Sequence, residues 1–379
     1  MGVRIALTEI KKQAFYTLLR NLYIFTSYFD FLDGLGRKLT ESRKKTRATG
    51  RITLNDVAQK AGVSAMTASR ALRGERRVAP ELVLRVKQAS EALGYVPDPA
   101  ARALASSRSG HVGILIPSLT NELFVDLLEQ AHVVLRGAGY QVLFGISHYD
   151  AQEEEALLRE QLMQRPAGLL LTGLSQTPKA REMLKKAKIP CVYMMETTDE
   201  ADMYSVGFSQ EAAAVHLVEH LLQRGRKRIA FAAAQLDPRT LQRMAGWRTA
   251  LEQVGLFDER LLYTDRTPSS IGLGAQMLQH IVQSDASVDA IFFCNDDLAQ
   301  GALLSAAGLG IAIPERLSVV GFNDLSASRH MTPPLTTIRT PRAEIGQQAA
   351  QVLLQLLKGE ELTQRCFDLG FSLKIRGSS

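Results

Sequence analysis

The chain has 379 residues, of which 46% are hydrophobic and 22% charged. That balance fits a folded protein with room for two or three domains and excludes a disordered or fibrous chain. A formal net charge of +6 favours polyanionic partners, with many of the cations gathered at Arg37, Lys38, Arg43, Lys44, Lys45, Arg47 and Arg51. Cys191, Cys294 and Cys366 are far apart and lack metal-ligand spacing, so they read as buried thiols in a reducing cytoplasm, with no metal or cofactor expected.

Residues 1–50 form an extension that is basic from 37 onward. Its stretch AFYTLLRNLYIFTSYFDFLDGL is apolar and aromatic, but Arg20, Asp30 and Asp33 interrupt it. It makes neither a clean membrane span nor a secretory leader with a small-residue cleavage site. The expectation is that translation begins near Leu39; the alternative is an amphipathic appendage.

Residues 51–97 read as three short helices. Thr53 and Asp56 have the spacing of an N-cap and its third helical residue, so the two can satisfy each other's orphan groups. Val57, Ala58 and Ala61 give this first helix one apolar face, and Gly62 ends it where a positive φ is needed. Ser64 caps a second helix with Ala68, Ala71 and Leu72 inside. Small residues at Ala58 and Ala68 let the two helices cross closely and steeply, as in a helix-turn-helix. Ala65, Met66, Thr67, Ser69 and Arg70 are left on the outer side. Arg70 can fork onto guanine O6 and N7, and Ala65 and Met66 can meet thymine methyls. Ser64, Thr67 and Ser69 suit phosphate oxygens. Next to such a reading helix, the basic run at 37–51 becomes a source of non-specific phosphate attraction. Pro80 opens a third helix, whose stripe Leu82, Val83, Val86, Ala89 and Leu93 completes the core.

Residues 98–110 read as a hinge. Asp98 and Pro99 have the character of N-cap and N1 of a helix running to about Ser106. A helix under roughly 12 residues is marginal alone in water, so this one should order mainly when docked.

From His111 to the end, apolar runs alternate with helical segments. HVGILIP, YQVLFGI, GLLLTG, PCVYMM, YSVGF, RIAFAAA, AIFFC and SVVGF read as buried parallel strands. Glu122–Gly137, Gln152–Gln164 and Glu211–Gln223 have helical period and length. The repeated units predict doubly wound parallel sheets in two subdomains, with ligands bound beyond the carboxyl ends of the strands. The polar loops Pro117–Asn121, Asn295–Asp297 and Asn323–Asp324 lie at those ends. Each residue in them is also a good cap or turn former, and together they favour a ligand cleft.

LNDVAQKAGVSAMTASRAL, GYVPDPAARAL, IPSLTNELF, FFCNDDLAQGAL and SVVGFNDL resemble the LacI/GalR family of bacterial repressors, over Ile52 to about Phe371. The resemblance implies an all-α helix-turn-helix head and a periplasmic-binding-protein-like α/β body. It matches Ala65, Met66 and Arg70 to base-reading positions, and Ala101 and Leu104 to the hinge, where the leucine is a wedge between base steps. It matches Arg243 to the arginine that grips the effector, Asn295 and Asn323 to hydroxyl-binding positions, and Phe124 to an aromatic packed on the ligand. Two departures stand out. Ala79 replaces the usual hydroxyl cap of the third helix. Asn323 replaces the aspartate of sugar-binding members, which makes a negatively charged effector easier to hold.

PSLTN, LDPRT and the DLGFSL end are most similar to the gluconate-utilisation repressors. They add Arg239 as a second cation, one turn from Arg243. Ser118, Asn121, Glu196 and Asp324 complete the candidate effector set. The resemblance implies a cytoplasmic homodimer on a pseudo-palindromic operator, released when a sugar acid closes the body's cleft. The alternatives are a sensor of a neutral sugar or purine, and a pure ligand-binding protein. No nucleophile elbow, Walker loop or metal-spaced histidine cluster points to an enzyme, and none is expected.

Overall fold

The computed structural model describes residues 52–74, 78–96 and 110–379. The expected hinge helix, with Ala101 and Leu104, and the extension 1–50 lie outside them. The chain divides into two compact units, Met1–Pro97 and Asp98–Ser379.

The first unit contains α1 (Leu54–Ala61), α2 (Ala65–Leu72) and α3 (Pro80–Leu93). At the start of α1 the Asp56 carboxylate accepts from the Thr53 amide at 2.8 Å and from its hydroxyl at 2.7 Å. Gly62 closes the helix at φ 65°, with the Val63 amide reaching back to the Ala58 carbonyl at 3.0 Å. Ser64 caps α2 by accepting the Thr67 amide at 3.1 Å. Val57, Ala58, Ala61, Ala68, Ala71, Val86 and Ala89 form a small closed core, with Val83 and Leu93 packed on it. Leu82 is only half-buried and does not join that cluster, so the stripe of α3 is narrower than its periodicity implies. Ala79 gives α3 no side-chain cap, and Pro80 at its first position presets φ instead.

The second unit holds two six-stranded sheets. In chain order its elements are β1 (His111–Ile116), α4 (Leu123–Gly137), β2 (Gln141–Ile146), α5 (Ala151–Met163), β3 (Gly168–Thr172), α6 (Pro178–Ala187), β4 (Cys191–Met194) and β5 (Tyr204–Gly207). Then come α7 (Gln210–Gln223), β6 (Ile229–Ala234), α8 (Pro238–Gln253), β7 (Leu262–Asp265), α9 (Ile271–Ser284), β8 (Ala290–Phe293), α10 (Asp296–Leu309) and β9 (Ser318–Asn323). Last are β10 (Thr336–Arg339), α11 (Arg342–Leu357), β11 (Cys366–Asp368) and β12 (Ser372–Lys374). The first sheet has the order β11-β5-β4-β3-β1-β2 and is parallel throughout. The second has the order β12-β10-β9-β8-β6-β7 and is parallel except for β12, which runs against β10. All eight strands expected from the apolar runs form, and β1, β3, β6 and β9 are buried along nearly their whole length.

Neither sheet belongs to a continuous stretch of chain. The backbone passes from the first lobe to the second after β5, returns between β10 and α11, and crosses again between β11 and β12. Helix α11 packs on α4 and on β3, β4 and β5, so a late helix completes the first lobe. The second lobe is built on an aromatic stack. Phe208, Phe322 and Phe292 follow at centroid spacings of 6.3 and 6.5 Å, Phe231 meets Phe292 edge-on at 5.0 Å, and Trp247 lies 5.7 Å beyond. The Trp247 indole N–H donates to the Ile229 carbonyl at 3.1 Å, which satisfies the polar end of a fully buried ring. Cys294 is buried, whereas Cys191 and Cys366 are only partly so.

Candidate functional site

In the first unit, the outer face of α2 carries exposed Met66 and Arg70, with Thr67 and Ser69 half-buried. Ser64 and Thr67 also pair through their hydroxyls at 2.9 Å. Ala65 is turned partly inward and packs on the three-helix core, so Met66 offers more apolar surface outward than Ala65 does. This face combines a long cation, a thioether and short hydroxyls, the set that a major groove edge and its flanking phosphates need.

In the second unit the strand ends converge on a cavity of about 150 Å³. Its walls include Ser147, Tyr149 and Glu154 after β2, Thr172 at the end of β3 and Ser175 after it, Glu196 after β4, and Asp237 and Arg239 after β6. These loops are held in unusual conformations. Seven of the nine non-glycine residues with positive φ among the described residues lie at or just past the ends of β2, β4, β6 and β9: His148, Tyr149, Met195, Gln235, Leu236, Asn323 and Asp324. Such backbone costs about 1–3 kcal/mol per residue and persists only where surrounding contacts impose it, typically at ligand sites.

Helix α8 supplies the basic side. Asp237 caps it, accepting from the amides of Arg239 at 3.0 Å and Thr240 at 3.3 Å. Arg239, Arg243 and Trp247 then recur every fourth residue on its buried face. Trp247 anchors that face in the aromatic stack and so fixes where the two guanidinium groups sit. Arg243 donates to Gln210 Oε1 at 2.9 Å and to the Cys294 carbonyl at 2.6 Å, and its guanidinium lies 3.9 Å over the Phe322 ring. Burial pulls its pKa down to about 10. Arg239 lies 5.7 Å over Phe124, which comes from the other lobe. Its Nη1 is buried and has no hydrogen-bond partner among the described residues. Burial works against the charge of Arg239, but Asp237, Tyr149 and Glu196 outweigh it and raise the pKa. Burial would likewise raise Asp237, yet the two arginines and the capped amides hold its carboxyl below the ordinary value.

Glu196 bridges the lobes. Its Oε2 accepts the Leu174 amide at 3.2 Å and its Oε1 accepts Gln242 of α8 at 2.6 Å. Gly207 makes room for it, because a Cβ there would collide with the backbone of Glu196. Asn121 donates to the Tyr149 hydroxyl at 3.2 Å and its Oδ1 accepts the Leu123 amide at 3.0 Å in the turn that leads into α4. Ser118 is spent on its own turn, accepting the Thr120 amide at 3.1 Å. Asn295 caps α10 and accepts from Ser269 at 3.0 Å. Asn323 accepts from Thr340 at 3.2 Å, and Asp324 pairs with Arg376 at 2.7 Å. Of the residues expected from the sequence, Glu196 and Arg239 therefore line the cavity itself. Phe124, Arg243 and Asn121 back it, and Asp324 is committed to a neighbouring ion pair. Tyr149, Glu154 and Asp237 line it without having been expected. Asp237 reads in sequence as a helix cap, which it is, and Glu154 sits unmarked within a run of three glutamates.

Residues 53–98 match the model for bacterial regulatory proteins of the lacI family, and residues 218–379 match a periplasmic binding protein-like domain. The HTH-type transcriptional regulator GntR of Pseudomonas aeruginosa is 50% identical over 341 residues, spanning 90% of this chain and 99% of its own. The chain belongs to the lacI family of bacterial regulatory proteins. Among solved structures, the transcription regulator GntR from Chromobacterium violaceum is 49% identical, with a TM-score of 0.69 over 71% of this chain and 99% of that one. The lac repressor dimer bound to operator and the anti-inducer ONPF is 26% identical, with a TM-score of 0.77 over 86% of this chain and 99% of that one. As a lacI-family protein the chain is a DNA-binding transcriptional regulator of the helix-turn-helix type, with a binding-protein-like body. No helix among the described residues is long and apolar enough to cross a membrane.

Proposed function

We propose that this protein is a cytoplasmic homodimeric repressor whose body senses a sugar acid, with gluconate as the effector class, and whose paired heads hold a pseudo-palindromic operator. In this reading residues 51–97 read DNA, 98–110 form the hinge and 111–379 bind the effector and the second protomer. The observation that carries the effector class is Arg239 Nη1, a buried guanidinium nitrogen of a cavity-wall residue with no acceptor among the described residues. A buried donor of this kind costs free energy until an acceptor arrives, and a carboxylate is the acceptor its fork fits best. A neutral sugar could accept from that nitrogen as well, but without the charge that makes a carboxylate's hydrogen bond to a guanidinium the stronger one. Glu196 lines the same cavity, Phe124 packs under Arg239 and Arg243 follows one turn along α8, while Asn295 and Asn323 complete the proposed effector set from the ends of β8 and β9. The cavity residues are used for binding alone, and the reading assigns the protein no catalysis.

The effector acts by binding the DNA-released arrangement of the lobes more tightly than the DNA-bound one. A coupling of about 1–3 kcal/mol changes operator affinity roughly 5- to 150-fold. The relatives named GntR, and the lac repressor dimer seen on its operator, support this division of labour. The test is calorimetry with gluconate, glucose, 6-phosphogluconate and inosine, paired with operator release followed by fluorescence anisotropy. Gluconate should bind and release DNA, and Arg239→Gln should lose both responses. Equal binding of glucose, or a gluconate response that survives in Arg239→Gln, would overturn the reading.

A further inference from the structure

The cavity has one cation on its wall, Arg239, and four carboxylates, Asp150, Glu154, Glu196 and Asp237. Asp237 and Glu196 have a donor on both carboxylate oxygens, whereas Asp150 and Glu154 are hydrogen-bonded through one oxygen only, and of those two Asp150 is exposed and Glu154 buried. Asp150 caps α5 through the amides of Gln152 at 2.7 Å and Glu153 at 3.1 Å. Asp237 caps α8, and its second oxygen accepts the Thr240 hydroxyl at 3.2 Å. Glu196 has one donor on each oxygen. Glu154 differs. Its Oε1 accepts from Gln176 at 2.9 Å, while its Oε2 makes no hydrogen bond among the described residues. The partner is itself held in place, because Gln176 also donates to the Gly173 carbonyl at 3.1 Å.

The run Glu153-Glu154-Glu155 sorts its three side chains by helical position. Glu153 faces out to His148, and Glu155 takes Thr177, Arg159 and Lys179. Glu154 turns to the cavity, on the face it shares with buried Leu158 and Gln161, while the equally buried Glu155 spends both oxygens on neighbouring side chains. Burial raises its pKa, opposed by the Gln176 hydrogen bond and the charge of Arg239, which therefore acts across the same space.

We infer that Glu154 is the specificity-determining residue for the hydroxylated end of the effector, accepting a hydroxyl hydrogen on Oε2 while Arg239 holds the acid end. This rests on the sugar-acid reading and narrows it. The ligand must carry a carboxylate and, further along its chain, a hydroxyl, so simple aliphatic acids are poor effectors. A site built to pair with a hydroxyl rejects an analogue lacking it, because the acceptor on the cavity wall then loses its donor when the ligand displaces water.

The test uses the full-length protein, with D-gluconate, its monodeoxy analogues and hexanoate as titrants. Wild type should lose roughly ten- to hundredfold in affinity at one deoxy position, the scale of a hydrogen bond to a charged group. Glu154→Gln presents an amide donor where Oε2 stood. It should weaken gluconate by a similar factor, become indifferent to that deoxy position, and leave weak hexanoate binding as it was. Gluconate affinity equal to wild type in Glu154→Gln would overturn the inference and leave the sugar-acid reading standing. A uniform loss for gluconate and hexanoate alike would also overturn it, by showing that Glu154 only props the wall. The deoxy series on wild type needs no variant, and a flat profile there refutes the inference even if Glu154→Gln fails to fold. Wild type that ignores every aldonate would remove the sugar-acid reading and this inference together.

Discussion

Asp297 provides a sharp test of the electrostatics between the lobes. It stands in the first turn of α10, half-buried, beside fully buried Asp296. Asp296 is spent on Thr337, Ser328 and the Leu325 amide at 2.6–2.7 Å. Glu122 of the other lobe reaches across to the Ser326 amide at 3.0 Å. Burial, then Asp296, then Glu122 push Asp297 up from 3.8 to about 6. A raised carboxyl pKa means that the folded state binds the extra proton, so stability falls as pH rises from about 4 to about 6 and the deficit is complete above that window. At 1.36 kcal/mol per unit the full deficit is about 3 kcal/mol, and the favourable helix N-terminus leaves about 2 kcal/mol for Asp297→Asn to recover. Urea unfolding reports this directly, because the chain's one tryptophan, Trp247, is buried in the body. Asp297→Asn should be more stable than wild type by about 2 kcal/mol at pH 8, with the advantage gone by pH 4. Adding Glu122→Gln should shrink that advantage if the lobes stay together in solution. A gain that is constant from pH 4 to 8, or a loss at pH 8, would refute the reasoning.

Arg70→Ala should weaken operator binding by about 1–3 kcal/mol and relax preference at one base pair, read by anisotropy over a base-substituted duplex panel. An unchanged preference would reduce Arg70 to a phosphate contact. Arg243→Ala strips partners from Gln210 and the Cys294 carbonyl, so it should lower the unfolding free energy of the body in urea by about 1–3 kcal/mol and abolish effector-driven release. Gly207→Ala drives a Cβ into the Glu196 backbone, so calorimetry should show weaker effector binding, while retained affinity would show that the Glu196 loop can shift at little cost.

Local rules made much of this molecule legible. The Thr53–Asp56 pair, Gly62 and Ser64 declare their helix boundaries through caps and a left-handed turn, and eight apolar runs became eight strands. The strands that were missed are short or polar. β7 reads LYTD at a sheet edge, β10 begins with Thr336 and Thr337, and β11 and β12 have three residues each. Thr336 and Thr337 are fully buried because Ser378 and Asp296 satisfy them, a long-range fact with no local signature. The cavity shows the same division. Arg239 and Glu196 stand out as charges after apolar strands, whereas Glu154 hides among like neighbours until the helix turns it inward. Asp237 and Tyr149 look like an ordinary cap and loop residue until two lobes close around them.

The three crossings between the lobes have a consequence for biosynthesis. The first lobe is not finished when β5 has been made, since α11 and β11 arrive more than a hundred residues later. A ribosome-bound chain must therefore keep the edge of β5 and the face beneath α11 uncovered while the second lobe is being synthesised. Truncation cannot yield either half as a clean fragment, and a nonsense mutation ahead of α11 would expose apolar surface in both halves at once.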